Sequence, residues 1–435
     1  MKKALVITYG CRQNLSDSEK IKGVLQNMNY EFCENPEDAD LILFNTCAVR
    51  AGAEDRVYGN IGALKKLKLQ NPGLIIAVCG CMTSQRRVAA KIKKSFPHVN
   101  LIFGTNSVHL LPQMLNNAEN THIFHEREDD DVYENIPSLR ENKIVANLPI
   151  MFGCNNFCSY CVVPYVRGRE RSRKTEDIIN EARILAARGY KELQLLGQNV
   201  NSYSGDLNFP QLLSKLAKIN GIERIRFISS HPKDFSPELI SVMADNKKIC
   251  KQLHLPFQSG SDRILKKMNR TYTRAHYVGL IESVRRAIPD IAISSDVIVG
   301  FPNEEQSDFE DTLSLINKLR LDMLFTFIYS KREGTPAAKM EPILSMEQTK
   351  SNFLRLTQAQ AKISAEINGK LVGTVQDVLA EGYSKNNKDV YCGRTDGGKI
   401  VNFTSHENIN FGDVLPIKIQ NATAWALGGC YAERY

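Results

Sequence analysis

The stretch "GCNNFCSYC", residues 153–161, sets Cys154, Cys158 and Cys161 in a C-x3-C-x2-C pattern. Three thiols packed this closely read as ligands of a metal centre. Structural zinc takes four nitrogen or sulfur ligands, usually as two paired half-sites. Here the nearest histidines are His125 and His231, and no second C-x2-C lies nearby. Iron–sulfur clusters, held by cysteine thiolates, suit the set better; three thiolates leave one iron of a four-iron cluster open.

An open iron can chelate a small molecule, and this spacing is the one associated with S-adenosylmethionine. The amino and carboxylate groups of that cofactor would fill the open position. One electron would then break its sulfonium C–S bond and release a 5′-deoxyadenosyl radical, able to take hydrogen from unactivated carbon. Such chemistry needs shielding from water, which favours a barrel interior. Tyr160, beside the third cysteine, either faces the adenine ring or is a packed loop aromatic.

A second set is less local. Cys11, Cys47 and Cys81 lie 36 and 34 residues apart, each closing a short apolar run: "KALVITYGC", "DLILFNTC" and "LIIAVCGC". Helical patterns follow at Asp17–Met28, Ala53–Leu69 and Gln85–Lys94. This βα alternation implies a parallel sheet with helices on its faces. The carboxyl ends of such strands share one edge, where ligands bind. Three thiols at three such ends should meet in space and hold a second, three-thiolate cluster. Free cysteines also pack well in cores, but core cysteines fall within strands, as Cys79 does. Cys33, Cys250, Cys392 and Cys430 read as structural.

Residues 143–368 must position the first set, and they alternate too. Candidate strands are "KIVANLPIMF", "ELQLLGQ", "RIRFIS", "QLHLPFQ", "AISSDVIV" and "MLFTFIYS", with helices at Glu176–Arg188, Pro237–Asp245, Arg274–Ala287 and Glu305–Lys318. Six β/α units suit an open partial barrel, whose gap admits a large substrate. Function gathers at the C-terminal strand ends of such folds. Gln198, Gln258, Asp296 and Gly300, in or beside those loops, are candidate contacts for the cofactor. His231 and His254 read as structural hydrogen-bonding residues. In "YVRGRERSRK", Arg167, Arg169, Arg171 and Arg173 form either a solvated face or a set of phosphate contacts.

Residues 369–435 are short β-type runs between Gly, Asn and Asp turns, which predicts a small all-β barrel of a kind that often binds nucleic acid. The fold class is therefore α/β, with an N-terminal parallel α/β domain (1–118), a partial (β/α)6 barrel (143–368) and this C-terminal barrel.

Composition sets the bounds. The 435 residues, 43% hydrophobic and 24% charged, are ordinary for a soluble protein. No apolar run approaches the roughly 18 residues of a membrane span. The start, "MKKALVITYGC", lacks a small-residue cleavage site and reads as a buried strand. An odd count of 11 cysteines without an export signal argues for a reducing cytosol. The net charge is +8 overall, +6 over residues 1–118 and −5 over 119–148. A basic excess suits a polyanionic partner. The acidic "HEREDDDVYE" reads as part of an exposed linker, 119–142.

These motifs together resemble a family. "GCNNFCSYCVVPYVRGRERSR" looks like the signature of the radical S-adenosylmethionine methylthiotransferases. "TYGCRQNLSDSE", "NTCAVR" and "CGCM" are similar to its N-terminal cluster-binding domain, and the last 65 or so residues to its TRAM domain. Of three branches, two act on tRNA, on N6-isopentenyladenosine (the MiaB type) or N6-threonylcarbamoyladenosine, and one on a ribosomal-protein aspartate. "VVPYVRGRERSR", "AEDRVYGNIGALKKLK" and "SSHPKDFSPELI" resemble the MiaB type; "GCRQN" departs from its usual Gly-Cys-Gln-Met-Asn.

The resemblance implies two 4Fe–4S clusters, one on Cys154, Cys158 and Cys161 and an auxiliary one on Cys11, Cys47 and Cys81 whose open iron holds the sulfur to be inserted. It implies two molecules of S-adenosylmethionine per turnover, and a methylthio group placed at C2 of an adenosine beside the anticodon, on its 3′ side. The implied partners are a tRNA anticodon stem-loop, whose splayed bases are readable, and a flavodoxin or ferredoxin reductant. With the cysteine usage and hydropathy above, the reading is a cytoplasmic protein with no membrane association, and nothing in the pattern demands more than a monomer. A non-catalytic iron–sulfur RNA-binding protein and a zinc-dependent nucleic-acid module are the competing readings.

Overall fold

A computed structural model of the chain describes residues 1–48, 52–118, 123–125 and 132–432. Its first part is one parallel sheet. In chain order come β1 (Lys2–Tyr9), α1 (Arg12–Asn27), β2 (Tyr30–Phe32), β3 (Leu41–Thr46), α2 (Ala53–Gln70), β4 (Ile75–Gly80), α3 (Arg86–Ser95), β5 (Leu101–Phe103), α4 (Leu111–Ala118) and β6 (Ile123–His125). The strand order is β2-β1-β3-β4-β5-β6. Successive side chains leave opposite faces of a strand. Leu41, Leu43, Ile75 and Ala77 accordingly pack with α1 and α4, while Ile42, Phe44, Ile76 and Val78 pack with α2 and α3. Both faces are dry, so these runs are continuously apolar. Helix α1 starts five residues before the apolar pattern announces it. Its first turns bury Gln13, Asn14, Ser16 and Ser18 instead.

The second part contains β7 (Val145–Pro149), β8 (Met151–Phe152), α5 (Val163–Arg167), β9 (Arg171–Ser172), α6 (Thr175–Ala187), β10 (Glu192–Leu196), α7 (Phe209–Leu216), β11 (Arg224–Phe227), α8 (Pro237–Asp245), β12 (Gln252–His254), α9 (Asp262–Lys267), α10 (Arg274–Ala287), β13 (Ala292–Val299), α11 (Gln306–Leu319), β14 (Met323–Ile328) and α12 (Met346–Gly369). Strands β7, β10 and β11 form one parallel sheet and β12, β13 and β14 another. A parallel bridge between Ile225 and Ile249 links them. Among the described residues β7 and β14 do not pair, so the six-stranded barrel is open. Its strands alternate. Leu193, Leu195, Ile225 and Phe227 pack into the core, whereas Gln194, Arg226, His254 and Asp296 line an internal cavity.

Residues 132–142 are a strap packed between α1 and the β7 side of the barrel rather than an exposed linker. Leu139 donates its N–H to Glu19 O (2.8 Å) and Arg140 pairs with Glu181 (2.6 Å). Glu134 accepts from Nε and one terminal nitrogen of Arg173. The acidic run 126–131 lies outside the described residues. Through Glu19, which accepts from the Asn147 side chain (3.2 Å), α1 runs along the β7 edge of the barrel.

The third part closes β15 (Val375–Ser384), β16 (Asn387–Thr395), β17 (Ile400–Thr404), β18 (Val414–Ala422) and β19 (Leu427–Tyr431) into a barrel around Val378, Val401, Phe403, Ile417 and Leu427. It docks on the N-terminal ends of the larger barrel's strands. Arg224 donates to the carbonyls of Arg394 (2.8 Å) and Asp377 (2.9 Å), Lys251 N–H to Asp396 (2.9 Å), and Lys399 pairs with Asp322 (2.6 Å). The β16–β17 turn thereby covers that end.

Candidate functional site

Cys154, Cys158 and Cys161 lie on the loop after β8, at the C-terminal end of the barrel strands. Gly153 starts the loop at φ +75, with its N–H bonded to the Gln198 side-chain oxygen. A Cβ there would sit 2.0 Å from the Arg169 carbonyl oxygen, so only glycine fits. Further on, Ser159 bonds through its N–H to Met268 O (3.0 Å) and through its hydroxyl to Lys267 O (2.8 Å). Asn269 donates to Phe157 O (3.0 Å). The end of α9 thus clamps the loop.

Beneath the thiols lies Arg270, which is buried. It donates to Pro256 O (2.6 Å), Tyr272 Oη (2.6 Å), Tyr160 Oη (3.2 Å) and Cys158 Sγ (3.8 Å). Burial alone disfavours the charged guanidinium, but Tyr272, Tyr160 and Cys158 outweigh it and raise its pKa. Burial raises the Cys154 thiol as well. Burial, then the neighbouring Cys158, pushes Cys161 up to about 12. A metal bound there would displace protons from these thiols.

The other three cysteines come together through strand register. Tyr9 is level with Thr46, and Thr46 with Gly80. Cys47 and Cys81 follow directly and Cys11 comes one residue later, after Gly10, on neighbouring strands that span two strand spacings, or about 10 Å. The β1/β3 crevice is where the strand order reverses, the position at which α/β sheets bind ligands. Gly80, at φ +105, passes so near Thr46 that a Cβ would lie 2.4 Å from its carbonyl oxygen.

A buried polar net supports this edge. The Asn45 side chain donates to Asn14 O (2.8 Å) and Ser18 Oγ (2.9 Å) and accepts from Asn14 Nδ2 (3.2 Å). Cys11 caps α1, whose positive N-terminal end favours an anionic group. Burial pushes Cys81 up to about 11, against the opposing charge of Arg167. Among the described residues no three His, Cys, Asp or Glu side chains are grouped to hold a metal ion. Both sets offer thiols alone, a donor chemistry that suits iron–sulfur ligation.

The arginine run is a correction. Arg167 is buried, with Nε 3.1 Å from Cys81 Sγ and a terminal nitrogen 2.6 Å from Asp17. Arg173 is buried against Glu134, Glu181 and Pro149 O. Their charges are met inside the protein, so neither is available to phosphate. Arg171 is half-buried and donates to Arg167 O (3.0 Å). Arg169 is exposed, over the Phe157 ring at 4.3 Å.

The expected cofactor contacts are spread over the strand ends. Tyr160 packs edge-on to Phe301. Gln258, at φ +67, bonds through its backbone to Asp296 O and Ile298 N. Gly300 follows β13 with its N–H on the Glu304 carboxylate. Two polar atoms at the same strand ends, Asn199 Oδ1 and Ser230 Oγ, are buried with no partner among the described residues. Such atoms are costly unless a ligand meets them. Both stand in loops already legible as polar, whereas nothing local marks Arg270. His231 is neutral, its pKa held down at about 2 by burial, then by Arg270 and Lys233. His254 bonds Ser294 (3.0 Å) and faces Asp296 (3.5 Å).

One cavity of about 500 Å³ joins the three parts. Cys11 and Arg12 line it from the first part, Gln194, His254, Asp296, Phe325 and Phe327 from the barrel, and Lys399 and Trp425 from the third. Phe325, Phe327 and Trp425 are exposed.

Comparison with known proteins agrees with this division. The Radical SAM superfamily matches residues 148–316, Uncharacterized protein family UPF0004 residues 3–104, and the TRAM domain residues 369–429. Relatives named tRNA-2-methylthio-N(6)-dimethylallyladenosine synthase include those of Caldicellulosiruptor saccharolyticus (51% identical, 97% of this chain and 91% of the relative) and Acetivibrio thermocellus (48%, 97% and 89%). The relative from Clostridium perfringens is 46% identical over 98% of this chain and 97% of its own. Among solved structures, the radical S-adenosylmethionine methyltransferase TsrM of Kitasatospora setae, with tryptophan and a cofactor analogue bound, has a TM-score of 0.58 at 13% identity, covering 88% of this chain and 79% of that one. The cobalamin-dependent radical enzyme OxsB has a TM-score of 0.52 at 12% identity, covering 83% and 56%. Both share the fold alone. No helix among the described residues is long and apolar enough to cross a membrane.

Proposed function

The chain belongs to the tRNA-2-methylthio-N(6)-dimethylallyladenosine synthase family, and on that premise we propose that it is a radical S-adenosylmethionine methylthiotransferase placing a methylthio group at C2 of N6-dimethylallyladenosine beside the tRNA anticodon. The family implies a 4Fe–4S cluster and S-adenosylmethionine. We assign the radical-generating cluster to Cys154, Cys158 and Cys161 and an auxiliary cluster to Cys11, Cys47 and Cys81. When bound, the first with S-adenosylmethionine supplies hydrogen abstraction, and the second carries the sulfur.

One observation carries this reading: Cys11 and the barrel residues His254 and Asp296 line the same cavity. A base admitted there would meet the sulfur-bearing edge and the barrel interior together. The chain's own groups do the rest. Arg270 orients Tyr160 and Cys158, the open barrel admits the anticodon loop, and Phe325, Phe327 and Trp425 give a flipped base apolar faces to stack on. Asn199 and Ser230 offer polar partners for the cofactor, with Gln198, Gln258, Asp296 and Gly300 around them. Units 1–118, 143–368 and 369–435 divide these tasks. A cytoplasmic monomer reduced by a flavodoxin or ferredoxin suits the chemistry.

The test is nucleoside mass spectrometry of tRNA incubated anaerobically with reconstituted protein, S-adenosylmethionine and reductant. Conversion of N6-dimethylallyladenosine to its 2-methylthio derivative is expected. Conversion of only N6-threonylcarbamoyladenosine would move the protein to the sister branch. RNA binding without 5′-deoxyadenosine release would make it a non-catalytic iron–sulfur protein.

A further inference from the structure

We propose that Arg167 is a positioning residue for the N-terminal cysteine set, donating to the Cys81 sulfur and raising the reduction potential of the cluster held there. The proposal rests on the assignment of Cys11, Cys47 and Cys81 as cluster ligands.

Arg167 belongs to the barrel, not to the sheet that carries Cys81. It ends α5, six residues after Cys161. The same helix region brings Val162 and Val166 against Ala48 and Cys81 in a small apolar cluster. The guanidinium, 5% exposed, is held as a fork, with Nε 3.1 Å from Cys81 Sγ and a terminal nitrogen 2.6 Å from Asp17 Oδ2. Arg171 adds a bond to the Arg167 carbonyl, fixing the end of the helix. Asp17 lies on α1, whose N-cap is Cys11. One side chain therefore ties the loop of the first cysteine set to two elements of the second.

A simple structural ion pair would need only Asp17. A buried pair of this kind adds little net stability by itself. What it leaves unexplained is the orientation, in which Nε faces sulfur. Hydrogen bonds to cluster sulfurs and local charge are what tune cluster potentials. Reduction adds negative charge, so a cationic donor in a dry pocket favours the reduced form. Asp17 offsets part of the charge and none of the N–H···S bond. The radical-loop helix thereby sets both the seat and the redox poise of the neighbouring cluster.

The test isolates the auxiliary cluster in the full-length Cys154→Ala, Cys158→Ala, Cys161→Ala variant, reconstituted anaerobically with iron and sulfide. A redox titration followed by electron paramagnetic resonance reads its midpoint. Adding Arg167→Gln is expected to lower the midpoint enough to change the reduced-to-oxidised ratio tenfold, about 59 mV for a one-electron couple. Arg167→Lys, which keeps charge but not the fork, should fall between. If Arg167→Gln loses its iron, Asp17→Asn with Arg167→Leu removes both charges together and should still lower the midpoint, by less. A retained cluster with an unmoved midpoint in these variants overturns the proposal alone. No cluster in the cysteine variant itself overturns the ligand assignment and the proposal with it.

Discussion

Cys154, Cys158 and Cys161 span eight residues of one loop, whereas Cys11, Cys47 and Cys81 are drawn from a sheet edge that takes 71 residues of chain to build. The two sets share local devices. Each has a glycine before a cysteine, Gly153 or Gly80, pressed against a carbonyl oxygen at positive φ. Each has a buried arginine, Arg270 or Arg167, reaching one thiol. They differ in what holds them. The loop is clamped from outside, by Gln198, Met268 and Asn269. The sheet set is held by strand register and the asparagine net under it. Damage to the clamp should therefore empty the loop set alone, and damage to the asparagine net should empty the sheet set alone.

The largest expected effect separates their chemistry. Replacing Cys154, Cys158 and Cys161 by alanine should reduce 5′-deoxyadenosine release to background. Replacing Cys11, Cys47 and Cys81 should leave release intact and abolish the methylthiolated nucleoside. Loss of both activities in both variants would mean the sets do not act separately. Next comes Gly153→Ala, where the new Cβ meets the Arg169 carbonyl at 2.0 Å. Overpacking of this kind costs about 1–3 kcal/mol, and the loop set should lose iron while the sheet set keeps it. Equal loss from both would break the contrast.

A third effect concerns protons. Each region buries a carboxyl group whose pKa burial pushes up to about 7, Glu304 just past β13 in the barrel and Glu19 on α1. Both are raised above the unfolded value, so the folded state binds the extra proton and stability falls as pH rises from about 4.5 to 7. Glu304→Gln should remove its share, roughly 3 kcal/mol at most, and raise stability at pH 8 more than at pH 4.5. Denaturant melts at the two pH values decide it; an unchanged difference refutes the shift. The smallest effect is Asn45→Ala, which leaves Asn14 and Ser18 short of partners at about 2 kcal/mol. Iron should leave the sheet set only.

The comparison also marks what the sequence could carry. Spacing alone betrays the loop set, because its ligands share one turn of chain. The sheet set is legible because Cys11, Cys47 and Cys81 each close an apolar run, and parallel strands must end together. The arginines of "RGRERSR" defeated local reading. A solvated arginine and one paired with Asp17, 150 residues away, look the same in sequence. For the same reason the strap 132–142 read as a linker, since Glu134, Leu139 and Arg140 find their partners only in the fold. Helix α1 began early because its first turns bury polar residues that serve the cysteines and not the core.

The most direct measurement is iron and acid-labile sulfide analysis with Mössbauer spectroscopy on anaerobically reconstituted protein. Two 4Fe–4S clusters are expected in the wild-type chain and one in either triple cysteine variant. A single cluster in the fully reconstituted wild type, or two in either variant, would contradict the assignment of three cysteines to each.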